Sequence, residues 1–98
     1  MNAITDRTEI ARIIRDRPEQ LGGFTVTTID GDAGHVASSH QEEVDDLHLV
    51  IHLGNRFLGK DVVIEADAID AVDPEQQTIH VDRIRDWVKS SPKVSAVT

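Results

Sequence analysis

The sequence predicts a mainly β domain, a small barrel or strongly bent sheet with a short helix before it and another after it. Three observations carry this. Residues Phe24 to Val36 read as strand, Asp30-Gly31 turn and strand, because glycine adopts positive φ without steric cost and aspartate tolerates it. Leu47 to Leu53 alternate, with Leu47, Leu49, Ile51 and Leu53 on one face and His48, Val50 and His52 on the other. Further short strands follow between closely spaced turn signals, the pattern of a small barrel.

The elements follow in order. Residues 5–17 predict a helix: Asp6 is placed to cap it, Glu9 completes a capping box, and Arg12, Arg15 and Arg17 suit the carboxyl end of the dipole. Ile10, Ile13 and Ile14 form one narrow apolar stripe. Pro18 and Gly22-Gly23 end the helix. Strand one is expected over Phe24 to Ile29 and strand two over His35 to Gln41, with Gly34 allowing a bulge or a close backbone crossing. Glu42-Glu43-Val44-Asp45-Asp46 reads as a solvated loop. After the Leu47–Leu53 strand, Gly54-Asn55 is a turn and Arg56 to Leu58 a short strand ending at Gly59. Asp61 to Ala66 is another strand, and Asp67 to Val72 a helical turn leading into an extended segment. Asp73-Pro74-Glu75-Gln76 is a turn with Pro74 pre-set for its second position. Gln77 to Val81 is the last strand, after which Asp82 is placed to cap a short helix carrying Ile84, Trp87 and Val88. Ser90-Ser91-Pro92 stops it and the remainder is expected to fray. The predicted core is Val26, Val36, Leu49, Ile51, Ile64, Ile79 and Trp87. The division is a helical extension over 1–20, a barrel-like domain over 21–92 and a tail over 93–98.

Composition narrows the function classes. The 98 residues fit one domain, and 39% hydrophobic residues suffice for a globular core. Phe24, Phe57 and Trp87 are the aromatic residues, so base-stacking platforms are scarce. Eighteen acidic against ten basic residues give a net charge of −8, which repels phosphate backbones and anionic lipid headgroups. The chain has no cysteine, which removes disulfides, thiolate metal sites and thiol catalysis. No apolar run approaches the ~20 residues that span a bilayer, and no apolar signal core accompanies Asp6 and Glu9. The expectation is a soluble cytoplasmic protein that neither contacts nucleic acid directly nor inserts into a membrane.

The order of elements resembles the PRC-barrel domain, the β-barrel module of the photosynthetic reaction centre H subunit and of a ribosome maturation factor. The residues that carry the likeness are Gly23 and Val26, Asp30-Gly31, Gly34 and Val36 in the opening hairpin, and the aliphatic strand Leu47 to Leu53. Val62 to Ile64, the Ile69-Asp70-Ala71-Val72-Asp73 corner, Thr78 to Val81 and the helix ending at Pro92 continue it. Ala33 stands where the family carries a larger aliphatic residue, Glu65-Ala66 replaces a proline, and the helix over residues 5–17 lies outside the usual module. The resemblance implies protein contact and scaffolding, with no catalytic residues and no general cofactor site.

The residues themselves offer little other chemistry. His48 and His52 share a strand face, but four residues at ~3.3 Å each set their Cα atoms about 13 Å apart, too far to share a zinc ion bound at about 2.0–2.1 Å. His35, His40 or His80 would have to join one of them from a neighbouring strand. Asp30 and Asp32 read as turn residues, and the acidic run lacks calcium-loop spacing. Ser38 and Ser39 precede His40 without a nucleophile motif, and Gly31-Asp32-Ala33-Gly34 lacks the lysine of a phosphate loop. No catalytic, cofactor-binding or metal residue is assigned. The expected function is a non-catalytic interaction module that binds a protein partner or itself. Its candidate surface is Ile10, Ile13, Ile14, Phe57 and Leu58, supporting a homodimer that loosens at low ionic strength. Two alternatives stand beside it: a ribosome-associated accessory factor acting through protein contacts, and a small ligand- or metal-responsive barrel using the histidine face.

Overall fold

The computed structural model describes residues 3–38, 41, 44, 47–54 and 59–94. Asp6 accepts hydrogen bonds at Oδ1 from the backbone N–H groups of Thr8 (2.8 Å) and Glu9 (3.2 Å), and so starts α1 (Arg7–Asp16). Glu9 turns instead to Arg12, at 3.0 Å, so the reciprocal half of the expected capping box does not form. A 3₁₀ turn (Pro18–Leu21) leads into β1 (Thr25–Thr28) and β2 (Gly31–Val36). Then come β3 (His48–Leu53), β4 (Lys60–Glu65), a second 3₁₀ turn (Ala66–Ala68), β5 (Ile69–Asp73), β6 (Thr78–Val81) and α2 (Arg85–Lys89).

The strands form one six-stranded sheet in the order β4-β3-β2-β1-β6-β5, curled into a half-barrel. All neighbours are antiparallel except β1 and β6, which run parallel. Both flanks of the sheet are covered by the chain itself: Ile4 bridges to Val72 on β5, and Lys93 to Val62 on β4. Unpaired edges recruit foreign strands, and these two bridges shorten them. The segment after α2, expected to fray, is therefore held as far as Lys93, with Pro92 O accepting from Val63 N at 2.8 Å.

Register explains the core. Val62, Ile51 and Val36 are ladder neighbours, as are Gly34, Val26, Ile79 and Val72, and every side chain among them is buried. The next level, one residue along each strand, faces the other way and reads Asp61, His52, His35, Thr25, Thr78 and Asp73 across all six strands. This is the period of two expected of a half-solvated sheet. α1 packs on β5 and the second 3₁₀ turn, α2 on β2 and β4. Ile10, Ile14 and Val88 join the same core.

Of the predicted core, Val26, Val36, Leu49, Ile51, Ile64 and Ile79 are buried, whereas Trp87 is 36% exposed, because in the five-residue α2 it is Val88 that turns to the sheet. Strand two begins at Gly31 rather than His35: Thr28 pairs with Gly31, so the reversal falls on Ile29 and Asp30, one residue earlier than expected. Thr28 Oγ1 donates within that reversal, toward Gly31 O and Asp30 Oδ1. Ile29 is consequently an exposed turn residue and not the end of strand one. Leu47 lies before β3 and is 54% exposed, while Val50, expected on the solvent side, is fully buried. There the side-chain amide of Gln41 acts as a substitute strand neighbour, accepting from Val50 N and donating to Val50 O and Ala37 O. Among the described residues no helix is long and apolar enough to cross a membrane.

Ile10 and Ile14, proposed from sequence as an interaction surface, are spent inside the chain's own core, and Ile13 is half-buried against it. An amphipathic stripe must be covered, and here the sheet covers it. Phe57 and Leu58, like His40, Ser39 and the acidic residues 42, 43, 45 and 46, lie outside the described residues.

Candidate functional site

Apart from Leu47, the large apolar side chains exposed among the described residues lie where the first hairpin meets α2. Ile29 N donates to Arg83 O at 3.0 Å, and Arg85 N donates to Asp30 Oδ1 at 2.8 Å, so the hairpin tip is bonded to the β6–α2 connection. These bonds bring Ile29 (62% exposed), Ile84 (50%) and Trp87 to one end of the molecule. The Arg83 guanidinium carbon stands 5.3 Å from the centre of the Trp87 ring, a cation–π distance. Ser91 Oγ donates to Trp87 O at 2.9 Å and Ser90 Oγ to Asp86 O at 2.7 Å, so the backbone on either side of the indole is tied down. Around the patch, Arg83, Arg85 and Lys89 offset Asp30, Asp82 and Asp86, giving a charge-balanced region on a strongly acidic chain.

Asp30 does the work expected of Asp82. α2 has Ile84 at its N-cap position with no side-chain cap, and the carboxylate that accepts from the helix's first N–H comes from the hairpin 55 residues earlier. The Arg85 backbone N–H, followed by the Thr28 hydroxyl and the Arg85 charge, holds the Asp30 carboxyl below its usual range. Such a depressed value contributes stability above the unfolded-state pKa of about 3.9 and loses it as pH falls through that value toward the folded one. Asp30→Asn is therefore expected to unfold more readily than wild type in urea at pH 7. The gap should close as pH drops below about 4. A gap that stays constant down to pH 3 would show that the carboxylate contributes nothing to docking the helix.

The polar face of the sheet holds the histidines. His52 Nδ1 donates to Asp61 Oδ1 at 2.7 Å across β3 and β4. His35, its neighbour on β2, places its ring centre 5.3 Å from that of His52. On the other half of the sheet His80 Nδ1 donates to Asp70 Oδ1 at 2.7 Å. Asp70 is the extra residue of a β5 bulge, which turns its carboxylate toward His80. His35 thus joins His52 from a neighbouring strand, while His80 pairs elsewhere. Among the described residues no three histidine or carboxylate side chains converge as metal ligands. The two imidazole–carboxylate pairs act as cross-strand pairs that tie β3 to β4 and β5 to β6. Sequence reasoning missed the Ile29–Ile84–Trp87 patch: the sequence pattern puts Ile29 in a strand and Trp87 in the core, and the nonlocal Ile29–Arg83 and Asp30–Arg85 bonds unite them. No protein-family model, curated protein or solved structure matches this chain.

Proposed function

We propose that this chain is a non-catalytic interaction module of PRC-barrel type, and that it contacts a protein partner through Ile29, Ile84 and Trp87. The observation that carries this is the exposure of three large apolar side chains on one charge-balanced end of a chain of net charge −8. Tryptophan and arginine are the residue types that dominate interface energetics. The Arg83–Trp87 stack and the Ser91 hydroxyl bond to the Trp87 carbonyl supply them in an ordered form, which lowers the ordering cost of binding. The likeness to the PRC-barrel in element order, together with the curled sheet, supports a scaffold reading.

Quantitative affinity capture from the native host, comparing wild type with Trp87→Ala and Ile84→Ser, tests this reading. A specific partner should be retained by wild type, and each variant should weaken it at least about tenfold. Circular dichroism should be unchanged, since exposed substitutions usually stay within about 0.5 kcal/mol. A partner held equally by all three proteins, or no protein enriched by wild type over the variants, would refute the proposal.

A further inference from the structure

A separate feature lies between α1 and the ends of β3 and β4. Ala11, Leu47, His48, Glu65, Ala66 and Asp67 line a cleft of about 190 Å³. That is below the ~300–1,000 Å³ of a small-molecule site, and it suits a single side chain. Ala11, Ala66 and the exposed Leu47 give it an apolar lining. Glu65, opposite His48 in the ladder, and Asp67, two residues on, are both exposed acids. Neither carboxylate has a hydrogen-bond or ion-pair partner among the described residues. A guanidinium already docks on this rim: Arg7 Nη1 donates to the Asp67 carbonyl oxygen at 2.9 Å, leaving the Asp67 carboxylate uncommitted.

We propose that the cleft seats an arginine side chain of a partner protein. The methylene stem lies on Ala11, Ala66 and Leu47, as long basic side chains bury their stems while keeping the charge in water. The guanidinium lies against Glu65 and Asp67, whose planar carboxylates match its fork better than a lysine ammonium would. The charge of −8 favours encounter with a basic partner. This site is independent of the Trp87 patch, and each can fail without the other.

The test is a ¹⁵N–¹H NMR titration of the full chain with N-acetyl-arginine methylamide, with the matching lysine and norleucine compounds and spermidine run in parallel. The arginine compound should give saturable shifts at Ala11, Leu47, His48, Glu65, Ala66 and Asp67, with a Kd on the order of 1 mM, as befits so small a ligand. Lysine should bind several-fold more weakly and norleucine should not saturate. Glu65→Gln with Asp67→Asn should weaken arginine at least about fivefold, while Trp87→Ala leaves it unchanged. Equal responses to norleucine and arginine, shifts spread over the whole acidic surface, or saturation by spermidine alone would overturn the proposal. The norleucine comparison needs only the wild-type chain, so a misfolded variant does not blunt the test.

Discussion

Leu49→Ala is expected to lower the unfolding free energy by about 2–5 kcal/mol, the range for removing a buried leucine side chain and leaving a cavity. Leu49 is fully buried, and its ladder partner Ile64 is 1% exposed. β3 is paired on both sides, to β2 and to β4, so it has little freedom to collapse into the space left behind. A domain of this size has only about 5–15 kcal/mol in total, and each kcal/mol moves the midpoint by roughly 4–8 °C. Urea and thermal unfolding should therefore both show the loss. A loss below about 1 kcal/mol would mean that the core is not centred on β3.

Gly34→Ala is expected to cost at least about 3 kcal/mol, though it adds a single methyl. Gly34 sits at φ +143°, and a Cβ there would run into the carbonyl oxygen of His52 on the neighbouring strand. The strand cannot step aside, because the next residue pair, His35 with His52, belongs to the β2–β3 ladder. Gly34 also follows the bulge at Ala33, where the β1–β2 register shifts between Val26 and Thr27. Gly23→Ala is the matched control: its φ is +83°, but a Cβ there meets nothing within 4 Å, so only the left-handed backbone cost of about 1–2 kcal/mol applies. The two variants, compared by urea unfolding, separate collision from conformation. Losses within about 1 kcal/mol of each other would remove the argument that Gly34 is a close-approach glycine.

Much of the fold was legible because its determinants are local. Asp6 lies two and three residues from the N–H groups it caps, Asp73 Oδ1 accepts from Glu75 and Gln76 in its own turn, and the Leu49–Ile51–Leu53 alternation sets one face of β3. The failures are nonlocal. Asp82 was the nearest carboxylate to α2, but folding delivers Asp30. Val50 belongs by alternation to the solvent side, yet the Gln41 amide reaches its backbone from nine residues away. The isoleucine stripe of α1 was legible as apolar but not as to what covers it, since a core and a partner ask for the same pattern. The exposed Ile29–Ile84–Trp87 patch was illegible for a related reason. Hydropathy places Ile29, Ile84 and Trp87 inside, and only the shortness of α2 and the tight reversal at Ile29 and Asp30 leave them outside.

The position of Trp87 has a practical consequence. It is the only tryptophan, and the chain has no tyrosine, so near-ultraviolet emission comes from one indole at the rim of the fold rather than at its centre. That indole is stacked under a guanidinium and half open to solvent. Its emission therefore reads the state of α2 and whatever lies on it, and says little about the aliphatic interior. Loss of the signal need not mean loss of the fold, and a blue shift at constant far-ultraviolet dichroism marks an occupied patch. The molecule carries its own reporter of contact, distinct from the amide signal that reports its folding.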